Sequence, residues 1–301
     1  MIVRRVVMGG IAALVLSQCS ETKHEQEQRD PSVAVVNYPL AYFTEQIVGD
    51  QFEVHFPVIA GDPAFWQPDS EEIGRFQEAD LIILNGAGYA KWVDKVSLPR
   101  KKLVVSSEYF SDRLIEEAGG EAHSHGDGEV HSHGEIASTT WLDPQLAKLQ
   151  LVVVYEQLCA HWPEHKKEFE PRFKQIYEQL LGLDAAFEKE FRGLRETVIV
   201  GSHPVYQYLA RRYGLKLKSV HWEPGVVPSA QQWQELKQVL ETHPASVMMW
   251  EGKPLDEVVQ QLRSMGIESY VFDPCGNRPE EKDWMEAMQE NLRSVQSLGK
   301  P

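Results

Sequence analysis

Two short runs decide the reading of this chain: Ala79-Asp-Leu-Ile-Ile-Leu-Asn-Gly86 and Ala245-Ser-Val-Met-Met-Trp-Glu-Gly252. Each carries four apolar residues in a row, then one polar residue and a glycine. An apolar run this short, bounded by turn residues, reads as a buried strand rather than a helix. The two runs lie in different halves of the chain, so one half echoes the other.

The pattern extends outward from both. In the first half, strands are expected at 33–36, 52–58, 79–84 and 103–105. Helices are expected at 38–48 and 70–77, the second capped by Ser70. In the second half, strands are expected at 197–200, 217–220, 247–250 and 270–272. Helices are expected at 205–213, 229–241, 255–265 and about 280–296. Alternation of this kind builds parallel sheets covered by helices.

Between the halves the period changes. A helical stretch follows Trp141-Leu-Asp-Pro144 and runs to about 162. Another runs from about 164 to 194, where Phe169, Phe173, Ile176, Leu180, Leu183, Phe187, Phe191 and Leu194 share one face. Roughly thirty residues at 1.5 Å each make about 45 Å, enough to cross two lobes. Pro171 marks either a kink or the true start of that helix. The fold expected is α/β: two pseudo-symmetric lobes with parallel four-stranded sheets, joined by a long linking helix. The divisions are a lobe at 32–143, connecting helices at 144–195 and a second lobe at 196–301.

The chain starts differently. Arg4 and Arg5 precede an apolar run from Val6 to Leu16, which ends in Leu16-Ser17-Gln18-Cys19. The run is too short to span a bilayer and suits a signal-peptide core. The ending resembles a bacterial lipobox, with Gln18 in place of the usual small residue. Residues 1–19 are therefore expected to be a lipoprotein signal peptide with Cys19 lipidated, and the polar stretch 20–31 a flexible tether. Cys159 and Cys275 are read as two inert thiols, although an oxidising compartment would allow them to pair.

The 301 residues carry 30 Lys and Arg against 45 Asp and Glu, a formal charge of −15. That excludes a basic nucleic-acid footprint and leaves cations as natural partners. Four of the eleven histidines, His123, His125, His131 and His133, crowd into residues 121–135 among glycines and charges. No apolar period anchors that segment, so it is expected to be a mobile loop that collects metal ions rather than a selective site.

A parallel sheet places ligands beyond the carboxyl ends of its strands. In the second half, those ends deliver His203, then His221 and Glu223, then Glu251, then Asp273. Imidazole and carboxylate are the donors that zinc, manganese and ferrous iron accept. His203, Glu251 and Asp273 are the expected ligands, with His221 or Glu223 next. Trp66, Trp141, Trp222 and Trp250 are expected to wall the site.

Over most of its length the chain resembles the ABC-transporter solute-binding proteins for zinc and manganese. The matching residues include Tyr38-Pro-Leu-Ala-Tyr-Phe-Thr-Glu-Gln-Ile47, Gly61-Asp-Pro63, Glu78-Ala-Asp-Leu81, Asn85-Gly-Ala-Gly-Tyr89, Trp141-Leu-Asp-Pro144, Ser202-His203, Tyr213-Gly-Leu215 and Phe272-Asp-Pro274. The resemblance implies one divalent metal held between two lobes and passed to a membrane permease. It implies a monomeric carrier, periplasmic or on the cell surface. It also implies His203 and Asp273 as ligands, with a carboxylate where Glu251 stands. Two positions depart from it. Ala64 and Thr139 stand where the family carries histidines. Zinc is favoured by the His-rich segment, manganese or ferrous iron by the carboxylates. The alternative is a relative that binds a metal complex, or that acts as an adhesion or metal-buffering lipoprotein. HExxH, GxSxG and P-loop patterns are absent from the sequence, so an enzyme is not expected.

Overall fold

Both expected sheets are present, and their strands pair entirely in parallel. β1 (Ser32–Val35) lies between β2 (Glu53–His55) and β3 (Leu81–Leu84), and β4 (Leu103–Val105) pairs with β3. β5 (Val198–Gly201) lies between β6 (Lys216–Ser219) and β7 (Val247–Trp250), and β8 (Glu268–Val271) pairs with β7. The strand orders are β2-β1-β3-β4 and β6-β5-β7-β8, which is one topology used twice. The structure, a computed structural model, describes residues 29–61, 63–116 and 136–298. Cys19 and the four histidines of the 121–135 segment lie outside them.

The helices alternate with the strands. α1 (Tyr38–Val48) is capped by Asn37, whose side chain accepts from Leu40 N. α2 (Ser70–Glu78) is capped by Asp69 rather than Ser70, with its carboxylate on the amides of Glu71 and Glu72. A carboxylate also meets the positive end of the helix dipole, which a hydroxyl does not. α3 (Pro144–His161) has proline in its first turn and is capped by Asp143. α5 (Gln207–Tyr213), α6 (Ala230–Thr242), α7 (Asp256–Ser264) and α8 (Trp284–Leu298) belong to the second half.

α4 (Lys166–Arg192) is the long helix, at 27 residues about 40 Å. It begins before Pro171 and runs through it. Proline there is the sixth residue, so it forgoes only one of the early hydrogen bonds. α4 packs against α1 and α3 of the first half and against α5 and α8 of the second. Its buried Asp184 receives both arms of Arg212, at 3.0 and 2.9 Å, and the Tyr213 hydroxyl at 3.1 Å.

The core runs across both sheets without a break. Val33, Ile83, Leu151, Phe187, Phe191, Met249, Phe272 and Trp284 are all in one buried cluster. The alternate residues of β5 and β7, Val200, Met248 and Trp250, face a second cluster with Trp222 and Leu236. The second sheet is therefore covered on both faces, as a parallel sheet requires.

Candidate metal centre

Register relates the two sheets residue by residue. Val33 is opposite Leu81 in the first, and Ile199 is opposite Val247 in the second. Counting on from those pairs, Asn37 corresponds to His203 and Asn85 to Glu251. Both pairs sit just beyond the strands where the chain order reverses, which is where α/β sheets bind ligands.

The first lobe fills that place with amides. Asn37 donates to Asn85 Oδ1 at 3.1 Å, and Gln150 donates to the same oxygen at 2.9 Å. Asn85 Nδ2 in turn donates to the carbonyl of Ser138 at 2.9 Å. This places the 138–141 segment. Gly86 has φ +73°, and a Cβ there would come within 2.0 Å of Ser107 Oγ, so only glycine fits behind Asn85.

The second lobe leaves the same place open. His203 Nδ1 lies 3.6 Å from Glu223 Oε1 and 3.6 Å from Glu251 Oε1. One donor atom from each of the three falls within 4.8 Å of the others. A four-coordinate zinc with bonds of about 2.1 Å spaces its donors about 3.4 Å apart, so little movement closes this set on an ion. His203 and Glu251 are only 22% and 21% exposed, whereas Glu223 is 62% exposed. Two donors are thus held in place and the third comes from outside. His203 Nδ1 is buried without a hydrogen-bond partner, a costly state for a polar nitrogen unless something binds it.

Asp273 lines the same cavity but lies outside that triplet. Its Oδ1 accepts from Cys275 N at 2.7 Å. Burial pushes its carboxyl above the usual carboxylate range, against the pull of the Cys275 amide and Lys282. His221 is exposed, its ring 5.6 Å from that of His203, and it also falls outside the triplet.

The cavity measures about 480 Å³. Ala64 and Thr139 line its far wall with Phe65, Ala137 and Trp141. Of the four tryptophans expected to wall the site, Trp141 does so. Trp222 and Trp250 are instead buried in the second core, and Trp66 packs edge-on against Trp92. Large apolar rings at strand ends are taken up by sheet packing before they reach a cleft.

The two walls are tied together. Thr139 Oγ1 donates to the carbonyl of Val205. Trp141 Nε1 donates to Pro274 O at 2.7 Å, and Tyr38 N donates to Gly276 O at 2.9 Å. Between those two carbonyls Cys275 adopts φ +53°, a left-handed conformation unusual for a residue with a side chain. Cys159 and Cys275 are free thiols. Burial raises both, and Asp273 raises Cys275 further, so neither is a ready thiolate. The bridging role of Thr139 and the amide network were not foreseen. The one signal for the network was a glutamine, Gln150, inside the apolar pattern of α3.

The fold and site define a two-lobed α/β binding protein with its donors at the carboxyl ends of one sheet. Residues 33–298 match the family model described as zinc-uptake complex component A, periplasmic, and the chain belongs to that family. It is 26% identical over 305 residues to the zinc-binding lipoprotein AdcA of Streptococcus pneumoniae, covering 96% of this chain and 60% of the relative. The chain thus spans about 60% of the length of that relative. It is 27% identical over 296 residues to the high-affinity zinc uptake system protein ZnuA of Bacillus subtilis, covering 94% and 93%. The Zn(II)-bound ZnuA-like domain of Streptococcus pneumoniae AdcA shares the fold, with a TM-score of 0.73, 22% identity and coverage of 89% and 98%.

Proposed function

We propose that this chain is an extracytoplasmic solute-binding protein that captures a divalent cation and delivers it to a membrane ABC permease. The carrying observation is the triplet His203, Glu223 and Glu251, gathered at the ends of β5, β6 and β7 and facing a cleft. Zinc is the preferred cation. The relatives matched are named for zinc. An N/O donor set also generally holds zinc more tightly than manganese.

His203 and Glu251 hold the ion and Glu223 folds onto it. Asp273 is the next donor in reach. The cation itself offsets the charge of the carboxylates once it is bound. A carrier needs affinity and release, not catalysis. The shared core and the bonds across the cleft favour release by loop movement over separation of the lobes.

The N-terminal residues 1–19 act as a lipoprotein signal, with Cys19 as the anchor. This rests on Arg4, Arg5 and the apolar run, and agrees with the name of the pneumococcal relative. Among the described residues no helix is long and apolar enough to cross a membrane. The four histidines His123, His125, His131 and His133 act as a collector of metal ions.

Zinc titration of untagged protein against a chromophoric chelator tests the reading. One tight equivalent is expected, and it should vanish in a His203→Ala/Asp273→Ala double variant. Tight binding that survives in that variant would contradict it.

A further inference from the structure

We propose that the cation is bound together with a small organic chelator, which donates from the wall opposite the protein's own ligands. The ligand class is a metal chelate of an amino acid or similar molecule, with nitrogen and carboxylate donors. This inference rests on the reading of the site as a cation site.

The asymmetry of the cleft carries it. The triplet of His203, Glu223 and Glu251 supplies three donor atoms, and Asp273, which lines the same cavity, is the next in reach. All three come from the second lobe. Among the described residues, the first-lobe wall contributes no histidine, cysteine or carboxylate to the cavity. It presents Ala64, Phe65, Ala137, Thr139 and Trp141 instead. Thr139 turns its hydroxyl proton to the carbonyl of Val205.

The space is also larger than a bare ion needs. A zinc ion with its donors at about 2.1 Å closes its own shell tightly. The cavity of 480 Å³ falls in the range of roughly 300–1,000 Å³ that holds small organic ligands. Its wall joins an exposed aromatic ring, Phe65, to a small side chain, Ala64, which is the surface that receives a flat ring or an aliphatic stem. Lys91 lines the same cavity. A chelate of this class adds donors from the first-lobe side and fills the room in front of Ala64.

Free histidine is the probe. The full chain is dialysed against labelled L-histidine with and without labelled zinc. The expected result is one histidine retained per retained zinc, and none without zinc. In Ala64→Leu, which fills the space without adding a donor, zinc should still be retained while histidine retention falls at least tenfold. That variant also shows that the fold and the cation site survive. Zinc retained at one equivalent with no histidine overturns the inference and leaves cation capture standing. Histidine retained equally without zinc overturns it too, because the chelate is the proposed ligand. Retention of neither overturns the inference and the reading beneath it together.

Discussion

Glu251 occupies in the second sheet the register position that Asn85 occupies in the first, one residue beyond the third strand of each lobe. The two residues use that position in opposite ways. Asn85 is fully buried and bonded to Asn37, Gln150 and Ser138. Glu251 faces a cavity with His203 3.6 Å away. One topology thus yields a sealed lobe and an open one, and the difference lies in four residues: Asn37, Asn85, His203 and Glu251.

The triplet predicts which imidazole matters. His203→Ala should lower zinc affinity by roughly 100-fold, which is about 2.8 kcal/mol. His221→Ala should change it by less than about threefold, because His221 stands outside the triplet. Competition titration with a chelator of known affinity checks both. Equal losses in the two variants would show that His221 is also a donor.

The sealed lobe predicts a stability cost without a ligand cost. Asn85→Leu removes the buried acceptor that Asn37 Nδ2 and Gln150 Nε2 share. Unsatisfied buried amides cost about 1–3 kcal/mol each. Urea denaturation should show a loss of at least that size, and a change of less than about 0.5 kcal/mol would mean that the network is not holding the lobe.

Gly182 predicts a gain. It lies exposed inside α4, and a Cβ there would meet nothing within 4 Å. Gly182→Ala should stabilise the chain by about 0.8–1 kcal/mol, from helix propensity alone. Zinc affinity should not change. Thermal and urea unfolding of the apo protein, with a zinc titration alongside, read both.

Asp143 predicts a pH dependence. Burial raises its carboxyl above the ordinary value, the largest influence on it, while the Gln145 amide and Arg212 pull the other way. A raised folded-state pKa means that the protonated form is favoured by folding. The associated stability is present below the unfolded value, near pH 4 on the ordinary scale of about 3.9, and is lost as pH rises through the folded one. Asp143→Asn keeps a capping oxygen and removes that titration. The wild type should therefore lose stability relative to Asp143→Asn from about pH 4 upward, seen as a growing difference in Tm. A difference in Tm that stays flat across that range would contradict it.

The sheets were legible because burial on both faces leaves continuous apolar runs, as in Leu81–Leu84 and Val247–Trp250. The long helix was legible from the spacing of Phe169 through Leu194. Helix starts were less so, because Asp69 and Ser70 are both plausible caps and only geometry chooses between them. Of the groups gathered at the cavity, His203 and Glu251 could be read from their places after strands. The roles of Thr139 and Trp141 could not, since their partners, Val205 and Pro274, lie 66 and 133 residues away in sequence. A bond across a cleft leaves no period in a sequence.

We infer that the cation is held from the second lobe. Anomalous diffraction at the zinc edge, from crystals grown with one equivalent of zinc, tests it most directly. One strong peak is expected within bonding distance of His203 and of carboxylate oxygens from Glu223 and Glu251. A single dominant peak elsewhere, with His203 unligated, would contradict it.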